Sequence, residues 1–248
     1  ELKEHWEYDT IQRSEVKRHL NEYFYYGGLP EILSFKNKRA MLSSLYQKIY
    51  LGDICARNNI KNDRVLNILI KKMAESVKQP LSYNRLKNVI VATGSPISVP
   101  TTIDYVDYAS DSWLILPMEN EVGKLTEKEM QKKYYFVDNG LLNLFLMNSE
   151  TSLLENMVAV ELCRRFGKKN VFFLNAEKEI DFIVPDEKLA IQVSYSIKDE
   201  TTYNREVPPL AKYAKAHNDW KCLLITYDEE GAEEGIPVMP VWKWLMEV

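Results

Sequence analysis

Two short stretches near the C-terminal end carry residue types and spacings that could do chemistry. The first reads EIDFIV over residues 179–184, and the second reads IQVSYS over residues 191–196. Because side chains alternate along a β-strand, Gln192 and Ser194 share one face of the second strand. A magnesium-dependent nuclease sets a carboxylate on one strand beside a carboxylate and a lysine on the next. Asp181 supplies the first of these groups, and Gln192 and Ser194 stand where the other two are needed.

The residue types at these two positions weaken such a centre. The amide of Gln192 can still offer one oxygen to a hard cation such as Mg²⁺. The hydroxyl of Ser194 cannot replace an ammonium charge, and electrostatic stabilisation is often the largest catalytic contribution. We therefore predict a nuclease-like site that is catalytically impaired.

The surrounding sequence predicts an α/β sheet domain over residues 133–248. KYYFVDNGLLNLFL reads as a strand turning into a helix, and LLENMVAVELCRRFG reads as an amphipathic helix that carries Glu155 and stops at Gly167. The strands VFFLN, EIDFIVP and LAIQVSYS follow. A helix broken or begun near Pro208 and Pro209 and a last strand, KCLLITYD, complete one compact sheet.

Residues 61–132 have the pattern of a winged helix. An amphipathic helix and the short helix LSYNRLKNVI precede a third helix, TIDYVDYASDSW, which we expect Thr101 or Thr102 to cap. The strand LILPM follows, and ENEVGKLTEKEMQKK reads as the loop to the next strand. A winged helix offers its third helix to the major groove. The candidate nucleic-acid contacts on this helix and around the loop are Thr101, Thr102, Tyr105, Lys124, Lys128, Lys132 and Lys133.

The charges of this unit leave two alternatives open. The third helix carries Asp104, Asp107 and Asp111, and no lysine or arginine occurs between residues 101 and 116. Since duplex affinity comes largely from neutralised phosphates, this helix is poorly suited to DNA. The loop lysines favour DNA binding, whereas the acidic helix favours a protein-contact module.

Residues 1–60 predict a helical segment. A charged helix ends near Phe24, and a second helical pattern, KRAMLSSLYQKIYLGDICARN, follows the break YYGGLPE. We interpret Gly27 and Gly28 as a tight turn, because a phosphate-binding loop needs more glycines and a following lysine. No P-loop motif occurs in the chain, so the chain cannot bind ATP in that way.

The composition is that of a soluble protein with reduced thiols. The 248 residues are 46% hydrophobic and carry a net charge of -4, so a nucleic-acid contact must come from a local basic patch. Cys55, Cys163 and Cys222 lie far apart, which favours neither a disulfide framework nor a zinc site. Without an apolar run of membrane-spanning length or a signal-peptide pattern, we expect a cytoplasmic protein without membrane contact. The chain begins with Glu rather than Met, and we expect a piece of a longer protein.

Six motifs in one order resemble the C-terminal region of a prokaryotic AAA-type ATPase family. They lie between about residues 20 and 230 and are YGGLPE, IYLGDI, the T-I-x-x-Y helix, KYYFVDNGLL, LENMVAVEL, and EIDFIV followed by IQVSYS. Members of this family place a winged helix and a restriction-endonuclease-like domain after an N-terminal ATPase core. The resemblance implies that an ATPase core precedes this chain, binds ATP and is a partner of the chain. The resemblance is also compatible with an oligomeric protein.

The resemblance also implies the members of the site. The four positions carried over are Glu155, Asp181, Gln192 and Ser194. Three of them, Glu155, Asp181 and Gln192, would hold Mg²⁺ or Mn²⁺ if a metal binds. Relatives usually read I-E-V-K in the second strand, so this chain departs from the pattern at the metal-ligand and lysine positions. The resemblance further places Arg205 and Glu206 of TYNRE beside the site.

The leading expectation is a nucleic-acid-associated region with an inactive nuclease-like domain that binds DNA or a protein partner. One alternative is an active metal-dependent nuclease, in which a lysine such as Lys178 or Lys198 enters the site. Flanking lysines are more often solvated surface residues. The other alternative is a protein-interaction scaffold without DNA binding.

Overall fold

The computed structural model describes residues 10–61, 63–176 and 179–247. Within these ranges the protein is a mixed α/β structure with eleven α-helices, a three-stranded sheet and a six-stranded sheet. The α/β class predicted from the sequence is therefore confirmed, while the division into three named domains stays a prediction. In the same ranges, no helix has both the length and the apolar character that a membrane span requires.

Helices form the first part of the described chain. Their bounds are Thr10–Tyr26 for α1, Pro30–Leu33 for α2 and Lys38–Lys48 for α3, which continues into a π-helical segment, Ile49–Ala56. Leu20 and Phe24 on α1 are buried, as are Leu42 and Tyr46 on α3. A spacing of four places each pair on one face of its helix, so both helices lie with one side on the core.

The three-stranded sheet is built from the next part of the chain. Its elements are α4 (Asp63–Glu75), β1 (Leu81–Ser82), α5 (Tyr83–Ala92), α6 (Val99–Asp111), β2 (Ile115–Met118), α7 (Leu125–Met130) and β3 (Gln131–Phe136). The strand order is β1-β3-β2, and both pairings are antiparallel. The short strand β1 was not predicted, and the segment predicted as a loop contains α7.

The start of α6 differs from the prediction that Thr101 or Thr102 caps it. Ser98 is the N-cap, and its hydroxyl accepts a hydrogen bond from the Thr101 N–H at 3.2 Å. Pro100 fits the first turn because N–H groups there have no partner within the helix. Thr102 is completely buried, and its hydroxyl donates to the Ser98 carbonyl at 2.8 Å.

The six-stranded sheet occupies the rest of the chain. Its elements are α8 (Asn139–Leu142), α9 (Glu150–Phe166), β4 (Phe172–Asn175), β5 (Glu179–Val184), a 3-10 turn (Pro185–Glu187), β6 (Leu189–Ser194), α10 (Glu200–Ala216), β7 (Lys221–Thr226), β8 (Gly231–Glu233), β9 (Ile236–Pro240) and α11 (Val241–Trp244). The strand order is β4-β5-β6-β7-β9-β8, with parallel pairs β6/β7 and β7/β9.

The helix α10 runs through Pro208 and Pro209 without a break. The predicted break or start at these prolines is therefore wrong. Each proline removes one N–H from the helical ladder and crowds the carbonyl four residues earlier, but the helix continues. The flanking Val207 and Leu210 are buried against the sheet and support the helix across this point.

The six-stranded sheet has a core on each face. On one face α9 and the N-terminal helices join a large buried cluster that extends along the chain from Leu20 to Trp244. On the other face α10 contributes Leu210 and Ala211 to a smaller cluster with Ile180 and Leu224. Strands β5 and β6 are thus covered by helices on both sides.

Gly27 and Gly28 form a turn between α1 and α2 that binds a carboxylate of the protein itself. Asp138 accepts hydrogen bonds from the N–H groups of Gly28 and Gly140, both at 2.8 Å. A Cβ atom on Gly27, which has a φ of 77°, would collide with the Asp138 carboxylate. A Cβ atom on Gly140 would lie 2.2 Å from the Tyr26 carbonyl oxygen. The two glycine-bearing motifs of the sequence therefore pack directly against each other.

The edge strand β4 is covered by the segment that follows β2. The N–H of Phe173 donates to the Glu119 carbonyl at 3.0 Å, and the N–H of Glu121 donates to the Phe173 carbonyl at 2.8 Å. The Asn120 side chain exchanges two hydrogen bonds with the Asn175 backbone, at 3.0 and 3.1 Å. Residues 119–121 thus lie alongside β4 as a short additional partner.

Candidate functional site

The four residues assigned to the nuclease-like site lie together around one cavity of about 420 Å³. Glu155 comes from α9, Asp181 from β5, and Gln192 and Ser194 from β6. All four are buried, with relative exposures between 4% and 6%. Residues up to 39 positions apart in the chain therefore meet at one point between the two helices that cover the sheet.

A lysine that the sequence placed elsewhere occupies the centre of this site. The Lys133 side chain comes from β3 and is 0% exposed. Its ammonium nitrogen lies 3.0 Å from Glu179 Oε1, 3.2 Å from Glu155 Oε1 and 3.3 Å from Asp181 Oδ1. The prediction that Lys133 contacts nucleic-acid phosphate is therefore wrong, because its charge is enclosed by three carboxylates.

The other predicted nucleic-acid contacts lie in several different environments. Lys132 points away from Lys133, as strand alternation requires, and pairs with Glu119 at 3.3 Å. Lys128 lies over the Phe172 ring, and Lys124 is exposed. The remaining predicted contacts lie on α6, where Thr101 and Tyr105 are half-buried and Thr102 is completely buried. The buried Thr102 side chain is not available to a groove of DNA.

Asp181 lies where the regular pairing of β5 with β6 stops. That pairing covers Phe182 to Val184. At Asp181 the N–H donates to Gln192 Oε1 at 3.3 Å, and the carboxylate Oδ2 accepts the Val193 N–H at 2.9 Å. Side chains therefore complete the strand pairing, and both Asp181 oxygens are bound, one to the backbone and one to Lys133.

Gln192 is held in turn by α10. Its amide Nε2 donates to Glu206 Oε2 at 2.5 Å, and Arg205 Nε donates to Glu206 Oε1 at 2.7 Å. Arg205 and Glu206 both line the cavity, which is the location that the resemblance implies for them. The Arg205 side chain is 70% exposed, so it forms part of the rim and Glu206 forms part of the floor.

Ser194 takes no part in the ion cluster. Its hydroxyl donates to the Ser196 carbonyl at 3.0 Å. Lys198, a candidate to replace the missing lysine, is exposed on the surface. The other candidate, Lys178, lies outside the described residues. Among the described residues, the ammonium that contacts the acids is supplied by Lys133 from the three-stranded sheet. A second lysine, Lys78, lines the cavity and donates to Thr151 Oγ1 at 3.1 Å.

A buried amide fixes β3 against α9 and so positions Lys133. Asn156 Oδ1 accepts the Phe136 N–H at 2.7 Å, and Asn156 Nδ2 donates to the Phe136 carbonyl at 3.0 Å. The Tyr135 hydroxyl donates to Glu155 Oε1 at 2.8 Å. Lys133 and Tyr135 share one face of β3, and both bind the same carboxylate.

Burial and neighbouring charges both shift the pKa values of this cluster. Burial raises the pKa of Glu155 to about 7, Lys133 opposes this rise, and Asp181 adds to it. Burial alone would lower the pKa of Lys133, but the surrounding carboxylates outweigh it and raise that pKa above its ordinary value. Lys133 is therefore a permanent cation. Burial, with a contribution from Asp181, also raises the pKa of Glu206.

The acids of the site already hold a cation between them. Glu155 and Asp181 turn an oxygen toward Lys133, and the Gln192 oxygen accepts the Asp181 N–H. In the part of the chain that the structure describes, no group of three or more His, Cys, Asp or Glu residues is arranged to hold a metal. The ammonium of Lys133 takes the place between the carboxylates that a cation needs.

Comparison with known proteins identifies a family and two relatives. The family described as a domain of unknown function (DUF8612) matches residues 17–152, which is more than half of the chain. An uncharacterized protein of Methanocaldococcus jannaschii is 30% identical over 259 residues and covers 96% of this chain. An uncharacterized protein of Haemophilus influenzae is 30% identical over 242 residues and covers 94%.

The chain spans only part of each relative, 57% of the first and 59% of the second. No solved structure matches it significantly. None of these similarities bears on an ATPase core, a winged helix or a nuclease, so the resemblance stated from the motifs stays a prediction.

Proposed function

The chain belongs to the DUF8612 family, and for this member we propose a nucleic-acid-associated function in which a nuclease-like domain binds but does not cleave. In this proposal the chain is the C-terminal region of an AAA-type ATPase. The ATPase core would lie outside this chain and would be its partner. Any ATP hydrolysis would belong to that core, since this chain has no P-loop.

The order of the elements supports the two domain assignments. We take α9, β4, β5, β6, α10 and β7 as the restriction-endonuclease-like domain, in which the series is helix, three strands, helix and strand. We take α4, α5 and α6 with β1, β2 and β3 as the winged helix. This assignment moves β3 from the α/β domain predicted for residues 133–248 into the winged helix. Asp181 then lies on the second strand of the nuclease-like domain, and Gln192 and Ser194 lie on the third.

The fully buried Lys133 ammonium is the observation that carries the non-cleaving role. It satisfies Glu155, Glu179 and Asp181 from within the protein, where a nuclease needs carboxylates that are open to a hard cation. A divalent ion would have to compete with this ammonium for the same carboxylate oxygens, and a displaced Lys133 would be a buried cation without its partners, which costs about 3–5 kcal/mol. The cluster therefore works as a closed structural unit beneath a cavity that can still receive a ligand.

Two measurements on the purified chain test this proposal together. Fluorescence anisotropy of labelled duplex and single-stranded DNA should show binding that weakens with salt, because phosphate contacts release counterions. Supercoiled plasmid and single-stranded DNA should stay intact in Mg²⁺ or Mn²⁺. Plasmid nicking by the natural chain that disappears in Asp181→Ala would contradict the non-cleaving role.

An active nuclease is the second candidate, because the Lys133 ammonium has a second interpretation as the lysine that a nuclease centre needs beside its acids. The lysine is absent at Ser194, but an ammonium from β3 reaches the same acids, Glu155 and Asp181. If this candidate is right, calorimetry detects Mn²⁺ binding to the natural chain, and cleavage is lost in both Asp181→Ala and Lys133→Met. Absence of Mn²⁺ binding at millimolar concentration would leave the non-cleaving role as the better account.

A further inference from the structure

We propose that the groove between α3 and α4 binds the sugar–phosphate backbone of a nucleic acid. The groove is a cavity of about 490 Å³ that shares no lining residue with the nuclease-like site. The inference rests on the proposed nucleic-acid-associated function and assigns its phosphate contacts to one surface. That surface is distinct from the loop around α7, where the sequence placed them.

Two polar stripes face each other across this groove. Arg39, Ser43 and Gln47 line it from α3 at a spacing of four residues. Asn67 and Lys71 line it from α4 at the same spacing. Residues four apart lie on one face of a helix, so the lining residues of each helix lie together on the side that faces the groove.

The charge of the groove is of one sign. Among the described residues that line it, two are cationic, Arg39 and Lys71, and none is a carboxylate. The sequence has no Asp or Glu from residue 32 to residue 52, although the whole chain has a net charge of -4. A basic patch on an acidic protein is the local footprint that phosphate binding requires. By contrast, α6 exposes Asp104, Asp107 and Asp111.

A packed floor holds the two stripes in place. Tyr46 of α3 meets Phe145 edge to face, with ring centroids 5.0 Å apart, and both residues line the groove. Arg39 Nη1 lies 3.5 Å from the Asn143 carbonyl, which keeps the guanidinium at the mouth of the groove. Both cationic groups therefore project from helices, Arg39 from α3 and Lys71 from α4.

The donor types along the groove match a phosphate chain. A guanidinium binds phosphate oxygens through two parallel N–H groups, and an ammonium binds them as a point charge. The side chains of Asn67, Gln47 and Ser43 add neutral N–H and O–H donors, which commonly contact DNA backbones. A chain of phosphates satisfies several of these donors at once, as a single small anion does not.

Charge reversal in the groove tests the inference on the full chain. Arg39→Glu combined with Lys71→Glu should weaken binding to labelled DNA at least about tenfold and lower the salt slope by about two, one for each lost phosphate contact. The matched control is Lys169→Glu with Lys215→Glu, which changes the net charge equally at two exposed lysines. Arg39→Gln with Lys71→Gln provides a milder variant, and circular dichroism checks that each variant is folded.

The outcomes separate this inference from the proposed function. The inference is supported if both groove variants lose affinity for DNA while the control variant keeps it. If affinity is lost for duplex DNA alone or for single-stranded DNA alone, that form is the one bound in the groove. If the natural chain binds DNA and the groove variants bind equally well, the groove is refuted while the nucleic-acid function stands. If the natural chain binds neither form, both proposals fail.

Discussion

Among the ion pairs of the described residues, Lys133 is the only cation paired with Glu155, Glu179 and Asp181. Replacement of Lys133 by methionine removes this charge. Glu155 and Asp181 are almost completely buried, and Lys133 is completely so. Removal of one partner from a buried ion cluster costs about 3–5 kcal/mol, because it leaves uncompensated charge in the interior. We expect Lys133→Met to lower the free energy of unfolding by this amount at about pH 8.

The loss should depend on pH in a defined direction. Lys133 holds down the pKa of Glu155, which burial already raises to about 7, so removal of Lys133 raises it further. An acid whose pKa is raised in the folded state favours folding at low pH, and that contribution disappears as the pH rises through the folded pKa. The loss near pH 5 should therefore be smaller than at pH 8 by up to roughly 1.4 kcal/mol, because pH 8 lies only about one unit above the pKa of Glu155 in the natural chain.

Urea unfolding followed by far-ultraviolet circular dichroism measures both values. The matched control is Lys132→Met on the same strand, since Lys132 pairs with Glu119 and Glu129, whose side chains are 38% and 62% exposed. Such solvent-exposed partners make an ion pair worth about 0–1 kcal/mol. An equal loss for Lys133→Met at both pH values, or a loss no larger than that of the control, would refute the reasoning.

Two further substitutions test the contacts that hold the site in place. Gly140→Ala should lower the free energy of unfolding by about 1–3 kcal/mol, because its Cβ would meet the Tyr26 carbonyl at 2.2 Å. Gly52→Ala, where no atom lies within 4 Å, should be neutral or slightly stabilising, and equal effects of the two in urea unfolding would contradict this account. Asn156→Asp should cost about 1–3 kcal/mol, because it removes the donor to the Phe136 carbonyl. Thermal unfolding measures this loss of stability. An unchanged melting temperature would show that the hydrogen bond from Asn156 to the Phe136 carbonyl does not fix β3.

The sequence was informative where neighbouring residues decide the structure. Alternation along a strand placed Gln192 and Ser194 on one face, and both line the cavity. The glycine pair was predicted as a turn, and it does connect α1 to α2, where the Gly28 N–H donates to Asp138. The third helix was expected at about the right place, although Ser98 rather than a threonine caps it. These features depend on spacing and on single-residue chemistry.

Lys133 could not be assigned to the site from the same information. Its partners Glu155 and Asp181 lie 22 and 48 residues away, and β3 belongs to the other sheet. One signal was present, however. In QKKYYF, alternation places Lys133 on the same face as Tyr135, and the strand ends in bulky apolar residues. A lysine on the face of a strand that is otherwise buried indicates an internal counter-ion better than a phosphate contact.

The pairing of residues 119–121 with β4 occupies backbone groups at one edge of the six-stranded sheet. An unpaired strand edge offers free N–H and C=O groups to a neighbouring molecule, and sheets can then add to one another. Here Phe173 gives its N–H and its carbonyl to Glu119 and Glu121. The opposite edge, β8, has only three residues. Loss of this segment would therefore leave the N–H and carbonyl of Phe173 unpaired, and the edge could then pair with a strand of another molecule.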